Sequence, residues 1–163
     1  NFRITAGGDT YEKVIVDYET GGYTYMELKD NNGVSDIKFN TNGDSYFNGS
    51  GNLGLGTTSP TSTLEVDGSV SKAITTITNS IMLNGTHHTI LCDNIVLISA
   101  VLHQASTATG RIYVIKAISS GDIVISPDGS ETIDGDAFYT IVNQYDYIEV
   151  QSDGSNWHII GSN

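Results

Sequence analysis

The chain is poor in cysteine, in positive charge and in long apolar runs, and each scarcity excludes something. One cysteine, Cys92, in 163 residues leaves no internal disulfide framework and no thiolate metal cluster. Seven Lys and Arg against 19 Asp and Glu give a net charge of −12. That is the wrong sign for holding nucleic-acid phosphates or an anionic membrane surface. The longest apolar run, Ile95 to Leu102, is interrupted by Ser99 and falls far short of the roughly 18 residues that span a bilayer. The chain opens on Asn1 without an initiator Met or a leader pattern, which reads as a fragment or a processed product.

What is present is β-branched and turn-rich. Nineteen Ile and 11 Val stand against 8 Leu and 7 Ala, a bias that suits pleated sheets and argues against a helical bundle. Ser, Thr, Asn and Gly fill 66 positions, while a hydrophobic fraction of 38% still supplies a core. No helical pattern of useful length emerges, so the expected class is all-β.

Two regions differ. Residues 1–71 are punctuated by Gly turns at Asp30-Asn31-Asn32-Gly33, Asn40-Thr41-Asn42-Gly43, Asn48-Gly49-Ser50-Gly51 and Asp67-Gly68, where positive φ is cheap. The strand pieces between them, Tyr25–Lys29, Ile37–Asn40, Tyr46–Phe47, Leu53–Leu55 and Leu64–Val66, carry two or three large apolar groups each. So few cannot close a core in one chain, which predicts an intertwined trimeric β shaft sharing one. Residues 72–163 are richer, with strand expectations at 74–78, 81–83, 89–92, 95–102, 111–118, 123–126, 139–142, 145–151 and 157–160. Turns recurring every 8 to 12 residues or so predict a β-sandwich, a jelly-roll-like knob.

Candidate chemistry is sparse. Asp128, Glu131, Asp134 and Asp136 form an acidic cluster, but their spacing matches no calcium loop and turn chemistry explains them better. His87 and His88 are adjacent on a strand, so only one of them can face a common axis. There is no nucleophile motif, Walker-type loop or metalloprotease helix. We therefore expect no enzyme, no cofactor and no metal site. The aromatics are the better handle: flat rings beside amide and carboxylate acceptors suit sugar stacking. Trp157 begins an apolar strand and is expected in the core. The expected ligand-binding residues are Tyr139, Tyr145, Asp136, Asn143 and Tyr147, in turns without a basic residue of their own, which favours hydroxyl-rich ligands over anions.

The phrase Gly51-Asn52-Leu53-Gly54-Leu55-Gly56-Thr57-Thr58-Ser59-Pro60, followed by Leu64-Glu65-Val66-Asp67-Gly68, resembles one common in bacteriophage tail fibres and related bacterial surface proteins. Gly110–Lys116, Thr132–Gly135 and Ser152–Trp157 are similar to the terminal knob of such fibres. The two regions cover somewhat under half the chain. The resemblance implies a homotrimeric, extracellular fibre tip on a virion that adheres to a host-surface glycan or protein, without membrane insertion. Its alternatives are a structural fibre segment, a trimerisation cap or a bacterial adhesin. The long β-helix of tailspike depolymerases has no room in a chain of this length.

Overall fold

The computed structural model describes residues 2–5, 12–18, 24–30 and 32–163, and the chain divides into two compact units between Val70 and Ser71. Asn31, in the first Gly turn named above, lies outside the described residues. The protein is all-β: one 3₁₀ turn at Ala105–Thr107 is the single helical element among the described residues.

In unit 1, β1 (Phe2–Thr5), β2 (Glu12–Tyr18), β3 (Thr24–Lys29), β4 (Ser35–Asn40) and β5 (Tyr46–Phe47) form an antiparallel meander in chain order. β6 (Leu53–Leu55) and β7 (Leu64–Val66) pair in parallel as a separate ribbon. β1 and β2 exceed the sequence expectation, which starts at Tyr25; Val14-Ile15-Val16 is the β-branched signal for β2. Register sorts the side chains, since neighbours along a strand point to opposite faces. Val14, Leu28, Ile37 and Phe47 align across β2 to β5, and Val16, Met26 and Phe39 across β2 to β4. These two rows make one face apolar.

The other face aligns Ile15, Glu27, Lys38 and Tyr46. Glu27 is only 6% exposed. Burial alone would raise its carboxyl. A hydrogen bond donated by Ser35 Oγ at 2.6 Å and the ammonium groups of Lys29 at 3.1 Å and Lys38 at 4.0 Å outweigh that, and hold it below its usual range. Lys38 Nζ also lies over the Tyr25 ring at 4.8 Å. So the charges of these rows are neutralised on one side of the sheet, and the apolar groups collect on the other.

In unit 2, β8 (Ile74–Ile77), β9 (Ile81–Met82), β10 (Thr89–Cys92), β11 (Ile98–Val101), β12 (Ile112–Ala117) and β13 (Ile123–Ser126) alternate between two sheets. Within each sheet they pair in parallel, β8–β10–β12 in one and β9–β11–β13 in the other. The chain thus winds three turns of a flattened parallel coil, the stacking used by β-solenoids. β14 (Tyr139–Ile141) then adds antiparallel to β13, β15 (Tyr147–Ser152) to β12, and β16 (Trp157–Ser162) to β15. The result is a two-sheet sandwich, but its parallel winding departs from the antiparallel order of a jelly roll. Turn spacing marks where strands end and says nothing of which strands pair, which is why the winding escapes a reading by turns.

Both sheets bury alternate residues in one core. Ile90, Ile115 and Ile148 stack across three strands of one sheet, and Ile98, Ile123 and Ile141 across three of the other. Cys92 sits between Ile77 and Ala117 in the same kind of ladder. Trp157 is fully buried, as expected, and stacks on Tyr113 at 5.3 Å and 27°. Each fully buried Ile contributes about 1.5–3 kcal/mol relative to exposure, and unit 2 has many.

Candidate functional site

The parallel winding places every second connection of unit 2 along one edge. The turns after β8, β10, β12 and β14 stack there and are laced by backbone bonds. Asp93 N–H donates to Ile77 O (2.8 Å), Ile118 N–H to Cys92 O (2.9 Å) and Tyr145 N–H to Ala117 O (2.8 Å). Asn94 is the hub of the β10–β11 turn. It is buried, its Nδ2 donates to Val96 O (2.8 Å) and Asp122 O (3.2 Å), and its main-chain carbonyl accepts from Gly121 N–H (2.8 Å). A side chain at Gly121 would collide with Asn94, so the close approach requires glycine there.

That turn changes the reading of 95–102. Strand is confined to Ile98–Val101, and Ile95, Val96 and Leu97 stand out from the edge, 82%, 66% and 63% exposed. The run is continuous in sequence, but Asn94 holds the chain in a turn before the strand begins. Sequence reasoning placed these three in a strand; the Asn immediately before them, a residue that favours turns, was the signal against it.

The five expected binding residues divide between opposite edges. Asn143 and Tyr145 lie on the stacked edge, in the turn between β14 and β15, and Tyr147 opens β15. Tyr145 is exposed and takes φ 74°, an uncommon conformation for a bulky residue that marks a position worth attention. Asn143 Nδ2 donates to Asp146 Oδ2 at 2.8 Å. Asp136 and Tyr139 belong to the β13–β14 connection and the start of β14, at the other end of that strand. Asp136 is tied by its backbone to Ile133. Tyr139 is half-buried against the core opposite Ile125, so it is not the exposed ring the sequence suggested. It precedes Ile141 by two residues and shares its inward face.

The turns also gain a cation that the sequence placed elsewhere. Lys116 Nζ donates to Tyr145 O at 2.6 Å and lies 5.6 Å from the centre of the Tyr147 ring. The expectation that these turns lack a basic group holds for their own residues alone; β12 supplies one through space.

The acidic cluster spreads out. Glu131 Oε1 accepts from Ala105 N–H at 2.8 Å, and Asp134 faces His158 at 3.5 Å. His158 Nε2 also meets Asp153 Oδ2 at 2.9 Å. Hydrogen bonds from Asn156 N–H, His158 and Ser155 N–H hold the Asp153 carboxyl down at about 2, and the hydrogen bond to Asp153 raises His158. No three acidic, His or Cys side chains converge as a metal-ligand set among the described residues. His87 Nδ1 accepts from Asn84 N–H at 3.1 Å, while burial lowers His88.

Unit 1 offers a different surface. Val16, Met26, Phe39 and Phe47 on the apolar face remain 38% to 52% exposed. Ile37, Phe47, Leu53 and Leu64 line an open groove of about 720 Å³, and Val16, Met26 and Phe39 a smaller one of about 410 Å³. Phe39 and Phe47 meet edge to face at 5.5 Å. Comparison with protein-family models, with curated proteins and with solved structures finds no match to this chain.

Proposed function

We propose that the chain is the end of a bacteriophage tail fibre, working as a homotrimer on the virion, that attaches the particle to a host-cell surface. The observation that carries this reading is the apolar face of unit 1. A sheet with one hydrophobic face needs a second layer, and among the described residues Val16, Met26, Phe39 and Phe47 stay 38% to 52% exposed. Further copies of the chain supply it, as the thin apolar content between Gly turns leads one to expect. The tail-fibre-like phrase at Gly51–Gly68 supports the same assignment. Unit 2, with its own core, is the rigid body that presents loops for attachment. Three linked sites then gain by avidity, on the order of 10² to 10⁴ over one.

The reading is of an adhesin and not of an enzyme, since its best-formed surfaces are rings and apolar turns. Sedimentation equilibrium tests the assembly: three chains of 17.4 kDa are expected, and a well-folded monomer at micromolar concentration defeats it. At three times −12 the trimer carries −36, so it assembles more readily in moderate salt than at very low ionic strength. Purified protein is expected to compete with whole particles for host cells. Failure to compete, with the trimer intact, leaves a structural segment or cap.

A further inference from the structure

The stacked edge of unit 2 combines two features that no part of the sequence reading brought together. Ile95, Val96 and Leu97 project from it as an apolar cluster on an otherwise well-packed body, and Tyr145 stands exposed two turns along the same stack. Around it stand Asp93 and Asp122, both exposed and without an ion pair among the described residues, and Asp146. Among the described residues, the base drawn to this edge is Lys116, and the Tyr145 carbonyl engages it. We propose that this edge docks a protein surface that has an apolar centre bordered by basic residues. The inference rests on the adhesion reading and gives its partner a chemistry.

The charges make the choice of occupant. A second copy meeting this edge with its own would bring the same aspartates against their like and is disfavoured by repulsion; contact with another face of a copy is the outcome that a loss of assembly in I95S/L97S reports. A glycan offers hydroxyls, which do not reward three aliphatic side chains held in water. A basic-bordered apolar surface satisfies both: the aliphatics leave water, and the acids meet opposite charge at the rim. The loop is also held ready. Asn94 fixes its base with two side-chain bonds to backbone, so little ordering remains to oppose binding.

The test uses the full chain and three amphipathic helical peptides about four turns long: Leu/Lys, Leu/Glu and Ser/Lys. Binding of Leu/Lys alone is expected, weakening with added salt. The double change I95S/L97S leaves every charge in place and is expected to weaken that binding about tenfold or more, with melting unchanged because both side chains are exposed. D93N/D122N is expected to weaken it less and to flatten its salt dependence. Equal binding of Leu/Glu overturns the charge argument, and an undiminished affinity in I95S/L97S overturns the site. Signal on a glycan array that I95S/L97S removes makes the partner a sugar instead. Loss of assembly in I95S/L97S makes the edge a contact between copies. These outcomes are separate from the fate of the fibre reading, which falls if the wild-type chain is a folded monomer, whatever the peptides do.

Discussion

The two units are built from the same kind of strand and reach opposite ends of self-sufficiency. Unit 2 folds one strand set over another, so its alternate residues meet in a core holding Trp157, Tyr113 and ladders of Ile. Unit 1 sorts its residues just as cleanly, with apolar rows on one face and the Glu27 ion cluster on the other, yet has a single main layer among the described residues. The lesson is that amphipathic alternation creates a demand for burial without meeting it. Where the chain doubles back in parallel the demand is met internally. Where it meanders flat, the apolar rows stay substantially exposed.

The sharpest way to break the comparison is at Trp157. Replacing it with Ala is expected to destabilise unit 2 by about 3–5 kcal/mol, read as a drop in one of two melting transitions with the other unmoved. A single transition that shifts as a whole would mean that the units are not independent. The converse change, M26S with F39S, is expected to cost the fold of a single chain only modestly, chiefly through the Phe39–Phe47 contact, because both side chains are already 38% and 45% exposed. In a trimer it removes buried contacts, so sedimentation is expected to shift toward monomer and the unit 1 transition to lose its concentration dependence. An unchanged trimer would put the interface elsewhere.

A gentler probe lies on the polar face. Glu27→Gln removes the charge that Ser35, Lys29 and Lys38 hold and is expected to cost about 1–2 kcal/mol. Because the Glu27 carboxyl is held below its usual range, its contribution is present at neutral pH and fades as the medium becomes acid enough to protonate it. The unit 1 transition of the wild type is therefore expected to fall in acid, and that of the Gln variant to fall less. Cys92 offers a readout of breathing in unit 2. Fully buried, with its thiol pushed up to about 12, it is expected to resist thiol reagents until unit 2 unfolds; rapid labelling of the native protein would contradict the core described here.

The smallest effect concerns His158. Its raised value means that the stabilisation from Asp153 is complete below the ordinary histidine value of 6.5 and is lost as pH rises through the raised one. Asp153, held at about 2 against 3.8, contributes above its ordinary value and loses that contribution as pH falls toward 2. Both groups are exposed, so only a slight slope is expected, and H158N is expected to remove the part above neutrality.

Several of these features were legible in the residues themselves. The Ile and Val excess fixed the all-β class because branching at Cβ favours the pleated backbone. The two-step alternation of Ile148 and Val150 with Tyr147, Glu149 and Gln151 marked β15, and the apolar strand around Trp157 marked its burial. The thin apolar content before residue 70 goes with a sheet whose Val16, Met26, Phe39 and Phe47 stay 38% to 52% exposed. What the tertiary structure alone decided was pairing. Strands of like alternation can pair antiparallel or in parallel, and only the register, with Thr89 beside Val114 and Ile98 beside Ile123, selects the coil. That choice sent Tyr139 and Tyr145 to opposite edges, brought Lys116 to a turn that has no base of its own, and set Ile95–Leu97 outward along the same edge. Sequence records which face a side chain prefers; it does not record which strand will lie next to it, because neighbours in a sheet are set by the path of the whole chain.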